Sequence, residues 1–126
     1  MKAVVITNNL KVKQKYDKEY DVEFVDGSLL DVLITVRDRI HEGHKLLTHP
    51  LTGSVKPNET PYKSVLISCD KGDLDLDSLL MISSNIETAQ KFINIKKPIE
   101  WKEKILADFM EIDLDLINSG IESMQQ

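Results

Sequence analysis

Apolar residues near the start of the chain come in short β-branched runs, and further along they recur at intervals of three and four. Residues 2–7 (Lys-Ala-Val-Val-Ile-Thr) read as a strand that stops at Asn8 and Asn9, two residues that tolerate turn geometry. A polar, basic stretch follows, with a helical turn or two around Val12 and Tyr16. Residues 21–25 give a second strand before the turn pair Asp26-Gly27. Ser28 then stands ahead of Leu29, Leu33, Val36 and Ile40, with Asp31 three residues after the serine and Gly43 just beyond the last apolar position. That pattern predicts a helix with a capping box at its start and a glycine stop at its end.

Residues 45–48 read as a third strand, and residues 63–68 as a fourth with Val65-Leu66-Ile67 at its centre. Between them, residues 49–62 carry Pro50, Gly53, Pro57, Asn58 and Pro61, which exclude a regular helix. The loop is longer than most connections in a compact domain, and long ordered loops are where binding residues concentrate. After a polar turn region at 70–77, Leu79, Ile82, Ile86, Ala89 and Ile93 predict an amphipathic helix over about 77–97, capped by Asp77 or Ser78. Pro98 suits a first helical turn, and Trp101, Ile105, Phe109 and Ile112 continue helical spacing into a region over 98–124. The period blurs where Ile112, Leu114 and Leu116 alternate with Glu111, Asp113 and Asp115, so an extended connector before a short last helix at 117–124 also fits.

The expected fold class is α/β: a single three-layer Rossmann-like domain over 1–126, with about four mainly parallel strands, helices on both faces and a helical C-terminal part. The direction of the fourth strand stays open, because the loop before it is long enough to cross over or to return.

Composition narrows the class. The chain has 126 residues, 41% hydrophobic and 29% charged, enough to bury a core without covalent staples. Cys69 is the only cysteine, so no intramolecular disulfide forms and cysteine-rich zinc sites are excluded. No apolar run approaches the roughly 18 residues of a membrane span, and the opening lacks a signal-peptide pattern, so a cytoplasmic protein is expected. The net charge of −5 is unevenly placed. Residues 1–63 hold ten Lys or Arg against nine Asp or Glu, while residues 64–126 hold six against twelve. An acidic second half repels nucleic acid, and Lys11, Lys13, Lys15 and Lys18 are too scattered to form a basic stripe. The acidic segments at 70–77 and 111–115 read as caps and solvated faces.

Ligands in open parallel sheets sit beyond the carboxyl ends of the strands. The residues expected there are Thr7, Asn8, Asn9, Ser28, Thr48 and His49, joined from the loop by Gly53, Ser54, Lys56 and Asn58. Ser28 heads a helix whose free N–H groups attract anions, and the run Gly53-Ser54-Val55-Lys56 offers permissive backbone, a hydroxyl and a cation. A small anionic ligand is the expectation, although Asn, Ser and Gly are also ordinary turn and cap residues. Neither G-x-x-x-x-G-K-[ST] nor G-x-G-x-x-G is present, so the sequence carries no signal for ATP or NAD. His41, His44 and His49 are badly spaced for a shared metal, and Asp73, Asp75 and Asp77 lack the glycine and glutamate of a calcium loop. An enzymatic alternative takes His49 as acid or base and Lys56 as charge stabiliser. Trp101, Phe109 and Met110 offer a surface for self-association.

The stretch from Arg37 through His41-Glu42-Gly43-His44, Thr48-His49-Pro50-Leu51-Thr52-Gly53-Ser54 and Lys56-Pro57-Asn58-Glu59-Thr60 to Pro61-Tyr62 resembles the GrdX family. The similarity extends from Ile6-Thr7-Asn8-Asn9 to the close at Ile112-Asp113-Leu114-Asp115-Leu116-Ile117. Members are small proteins encoded beside the selenoprotein glycine reductase genes of anaerobic, amino-acid-fermenting bacteria. The resemblance implies an accessory or regulatory role in reductive glycine, betaine or sarcosine metabolism, with a small anionic metabolite or a reductase component as partner. It assigns no catalytic residue.

Overall fold

The computed structural model describes residues 3–51 and 56–124, so Gly53 and Ser54 lie outside the described residues. In chain order the elements are β1 (Ala3–Thr7), α1 (Leu10–Tyr16), β2 (Asp21–Phe24), α2 (Leu29–His41), β3 (Ser64–Ser68), α3 (Leu76–Ile95) and α4 (Glu103–Met124). The sheet has the order β2-β1-β3. β1 pairs with β2 in parallel, with Val5 opposite Val22, and with β3 in antiparallel, with Val5 opposite Leu66. The expected Rossmann-like sheet of four mainly parallel strands is therefore corrected to a small mixed sheet of three strands among the described residues.

The missing strand is residues 45–48, and its hydrogen bonds explain why. Ser68 N–H donates to Lys45 O at 2.8 Å and Leu47 N–H to Leu66 O at 2.9 Å, so the segment does lie along the outer edge of β3. It makes only an isolated bridge, Leu46 to Ile67. Leu66 N–H donates to the Thr48 hydroxyl at 3.0 Å instead of to a backbone carbonyl. The N–H groups of Lys45 and Leu46 go to the hydroxyls of Ser68 and Ser78, at 2.7 and 3.0 Å. Side-chain oxygens take up the donors that a regular ladder would pair. β3 lies between this edge and β1 and runs antiparallel to β1.

Alternation along the strands divides the apolar side chains between two faces. Ile6, Val65 and Ile67 pack with Leu33, Val36 and Ile40 of α2 and Ile82, Ile86 and Ala89 of α3. Ala3, Val5 and Leu66 pack with Val12 and Tyr16 of α1 and Ile117 and Ile121 of α4. α4 runs unbroken through the stretch of ambiguous period. Asp113, Ile117 and Ile121, spaced by four, are its buried residues, while Ile112 and Leu116 face outward. A connector ahead of a short last helix is thereby replaced by one helix of 22 residues.

α2 begins with a full capping box: Asp31 N–H donates to the Ser28 hydroxyl and Ser28 N–H to the Asp31 carboxylate. It ends in a Schellman turn, with Gly43 N–H on Ile40 O at 3.0 Å and His44 N–H on Arg39 O at 3.2 Å. Gly43 has φ 109°, and a Cβ there would overlap Gly72 O, whose own residue donates its N–H to Gly43 O. Near the same end of α2, Arg39 holds the Glu23 carboxylate of β2 with two bonds of 2.8 and 2.7 Å. Gly43→Ala should cost about 2 kcal/mol or more, from left-handed backbone strain plus the overlap. Gly72→Ala, which meets nothing within 4 Å, should stay within about 0.5 kcal/mol of the parent. Urea unfolding midpoints of the two variants check the contrast.

Candidate functional site

Because β3 runs against β1, its first residues lie beside the last residues of β1, and polar side chains from both strands meet there. Thr7 and Asn9 are fully buried, and Ser64 and Asp113 nearly so. Ser64 donates its hydroxyl to the Asp113 carboxylate at 2.7 Å. Its oxygen lies 2.6 Å from the Thr7 hydroxyl, which in turn accepts Asn9 N–H at 3.0 Å. With the Ser64 proton committed to the carboxylate, Thr7 must donate to Ser64, and the chain runs one way: Asn9 N–H to Thr7, Thr7 to Ser64, Ser64 to Asp113. Asn9 closes the loop through its amide, which donates to Asp113 at 3.1 Å and to Met110 O at 2.9 Å. The Asn9 carbonyl oxygen caps α1 by accepting Lys11 N–H.

Lys63 is the second buried charge, only 6% exposed. Its backbone N–H donates to Asn8 Oδ1 at 2.9 Å, but among the described residues no hydrogen bond or ion pair holds its ammonium. Burial pulls the Lys63 ammonium below its ordinary range, with the Asp113 charge opposing that shift. Burial likewise pushes the Asp113 carboxyl up, against the bonds from Ser64 and Asn9 and the charge of Lys63. Each of the two groups is thus held on the neutral side of where water would leave it.

Two clefts flank this end of the sheet. The larger, about 410 Å³, lies toward α4 and is lined by Thr48, His49, Lys63, Ser64, Ser119 and Ser123 among others. Gly120 of α4 lets Thr48 in close, since a Cβ there would stand 3.2 Å from the threonine methyl. His49 Nδ1 accepts Leu51 N–H at 3.2 Å, which puts the proton of the neutral ring on Nε2. The other cleft, about 300 Å³, opens at the start of α2 and is lined by Asn8, Ser28, Asn58 and largely apolar neighbours.

The expected site residues are therefore divided. Thr48 and His49 line one cleft, and Asn8, Ser28 and Asn58 line the other. Thr7 and Asn9 lie in the hydrogen-bond network at this end of the sheet. Asn8 spends its amide on Gly27 O and Pro61 O, at 3.0 and 2.9 Å, and so fastens the end of the long loop. Lys56 is exposed and lines none of these clefts. The histidines are apart in role: His41 is exposed, and buried His44 donates from Nδ1 to Ser68 O at 2.6 Å. Trp101 stacks at a tilt on Phe109 and donates to Glu59 O at 2.9 Å.

Sequence reasoning missed Lys63, Ser64 and Asp113. For Asp113 a signal existed: it sits four and eight residues before Ile117 and Ile121, on the buried stripe of α4. Lys63 heads the apolar run of β3 and had no comparable mark.

A family model described as GrdX-like protein matches residues 4–122, from within β1 to within α4. The chain belongs to the GrdX-like family. No curated protein and no solved structure matches it. In this GrdX-like chain the matched span takes in the whole Asp113 network. Among its described residues, no helix is long and apolar enough to cross a membrane.

The Asp113 shift sets a sign for stability. A carboxyl with a raised folded pKa binds its proton more tightly in the folded state, so its contribution is favourable at low pH and is lost as pH rises through the folded value. Asp113→Asn removes that term. Lowering the pH from neutral toward 3.8 should therefore stabilise the parent protein relative to the variant, read as a growing difference between their thermal midpoints.

Proposed function

We propose that this GrdX-like chain is a noncatalytic accessory or regulatory protein of reductive glycine, betaine or sarcosine metabolism, and that it captures a small anionic metabolite in the cleft toward α4. One observation carries the reading: Lys63 is buried, has no partner for its ammonium among the described residues and lines a cleft with Ser119 and Ser123. The side chain of Lys63 is largely stripped of water and its ammonium has no protein partner among the described residues, so a phosphate or carboxylate arriving in the cleft would pair with it. Ser64 has committed its proton to Asp113, whereas the Thr48 hydroxyl only accepts, so Thr48, the His49 Nε2–H and the serine hydroxyls of α4 are the cleft's available neutral donors. Occupancy by an anion favours the charged form of Lys63, so binding should weaken as pH rises through the lowered lysine value.

His49 on the wall of the same cleft favours a second reading, a small enzyme on a phosphorylated or carboxylated metabolite with His49 as acid or base. Lys56, placed outside the cleft, leaves Lys63 as the stabilising cation in that case. Turnover of acetyl phosphate abolished in His49→Ala supports it, and equal turnover in the variant removes it.

The principal test is thermal unfolding with phosphate, acetyl phosphate, glycine, betaine and sarcosine. A ligand at a hundred times its Kd adds about 2.7 kcal/mol, a rise of several degrees for a domain of this size. Lys63→Met should weaken anion binding at least tenfold by calorimetry while the protein stays folded. Undiminished binding in the variant overturns the site. If no anion binds the parent protein, the metabolite reading falls and a glycine reductase component is the occupant to test.

A further inference from the structure

The second cleft, on the other side of Asn8, contains a polar group that the fold leaves unanswered. Asn58 is only 6% exposed, and its side-chain oxygen is buried with no hydrogen-bond partner among the described residues. Its amide nitrogen donates to Lys96 O at 3.4 Å and its backbone oxygen accepts Ile99 N–H at 3.3 Å, so the orientation of the side chain is fixed with the acceptor unused. A buried acceptor without a donor is rare in folded proteins, and it marks a place where a donor belongs.

The same cleft receives the start of α2, a helix of 13 residues. Ser28 answers Asp31 N–H, but Leu29 and Leu30, two residues that line the cleft, have backbone N–H groups with no partner among the described residues. The cleft thus offers a pair of donors at one place and an orphan acceptor at another. Glu59, next to Asn58 in the chain, also lines it, and Pro57, Pro61, Ile93 and Ile99 add apolar wall. An anion alone would leave the acceptor unanswered. A cation alone would leave the helix start unanswered.

We infer that this cleft binds an apolar α-amino acid as the zwitterion, its carboxylate on the Leu29 and Leu30 N–H groups, its ammonium on the Asn58 oxygen beside Glu59, and its side chain against the prolines and isoleucines. The volume of about 300 Å³ holds a molecule the size of leucine. This site shares no lining residue with the anion cleft, and it stands or falls without it.

The test is L-leucine titrated into the 15N-labelled full chain, with calorimetry in parallel. Saturable shifts of the Leu29 and Leu30 backbone amides and the Asn58 side-chain amide are expected. N-acetylleucine, which lacks the ammonium, and leucinamide, which lacks the carboxylate, should each bind at least tenfold more weakly. Asn58→Leu should lose leucine binding by at least tenfold while melting no lower than the parent, because it removes the orphan acceptor together with the site. Lys63→Met should bind leucine as the parent does, and saturating phosphate should not compete. No saturable shift in the parent chain, shifts confined to Lys63 and Ser64, or full binding by Asn58→Leu overturns the inference. The first two of those outcomes need no variant to fold.

Discussion

The carboxylate of Asp113 is the point on which this end of the molecule is assembled. It accepts from Ser64 of β3 and from Asn9, the residue that caps α1, and it lies on the same helical stripe as the isoleucines that seat α4 on the sheet. A buried acid is tolerable only if its lone pairs are answered. Here the answering groups come from β3 and from the cap of α1, so the acid's requirement for donors fixes the approach of α1, β3 and α4 to one another. Thr7, whose hydroxyl links Asn9 to Ser64, carries that constraint into the middle strand.

The polarity of β3 has a further effect. In a fully parallel sheet, one end collects strand termini with their loops, and the other collects strand starts. Reversing β3 brings a strand start, Lys63-Ser64, to the end where β1 stops at Thr7-Asn8-Asn9. Polar groups accumulate there from both directions along the chain. The two clefts open from this shared edge, one toward α4 and one toward the start of α2, with the Asn8 side chain holding Gly27, Pro61 and Lys63 together between them.

Much of the local structure was legible because it is written in neighbouring residues. Ser28, Asp31 and Gly43 bound α2 as their types and spacing require, and the acidic run before Leu76 supplies the N-cap of α3, from Asp75 rather than Asp77 or Ser78. The sheet was less legible. Residues 45–48 have strand-like side chains, yet the hydroxyls of Thr48, Ser68 and Ser78 divert their hydrogen bonds, and those contacts are set by tertiary packing. The site divides in the same way. Asn8, Ser28, Thr48, His49 and Asn58 were readable as polar residues at the ends of elements. Asp113 looked like one acid among several, because its burial depends on α4 remaining helical through a stretch whose period fits either structure. Lys63 looked like an ordinary charge at a strand start, and its burial comes from tertiary packing beside α4 and residues 47–49.

The contacts between α1 and α4 join residues about as far apart as this chain allows: Asn9 with Asp113, Lys11 with Glu111, and the Tyr16 hydroxyl with Asn118. During synthesis a chain folds from its first residues onward. β1, α1, β2, α2 and β3 all emerge while the acid that answers Ser64 and faces Lys63 is still to be made. Until α4 arrives, Ser64 and Asn9 have no carboxylate to hold and Leu66 lacks the cover that Ile117 and Ile121 add to that of α1. The nascent protein can build most of its core on the side of α2 and α3, but the cleft toward α4 closes last. A product truncated before Asp113 would carry only half of that cleft, the side of Thr48, His49, Lys63 and Ser64, without the wall that Ser119 and Ser123 supply.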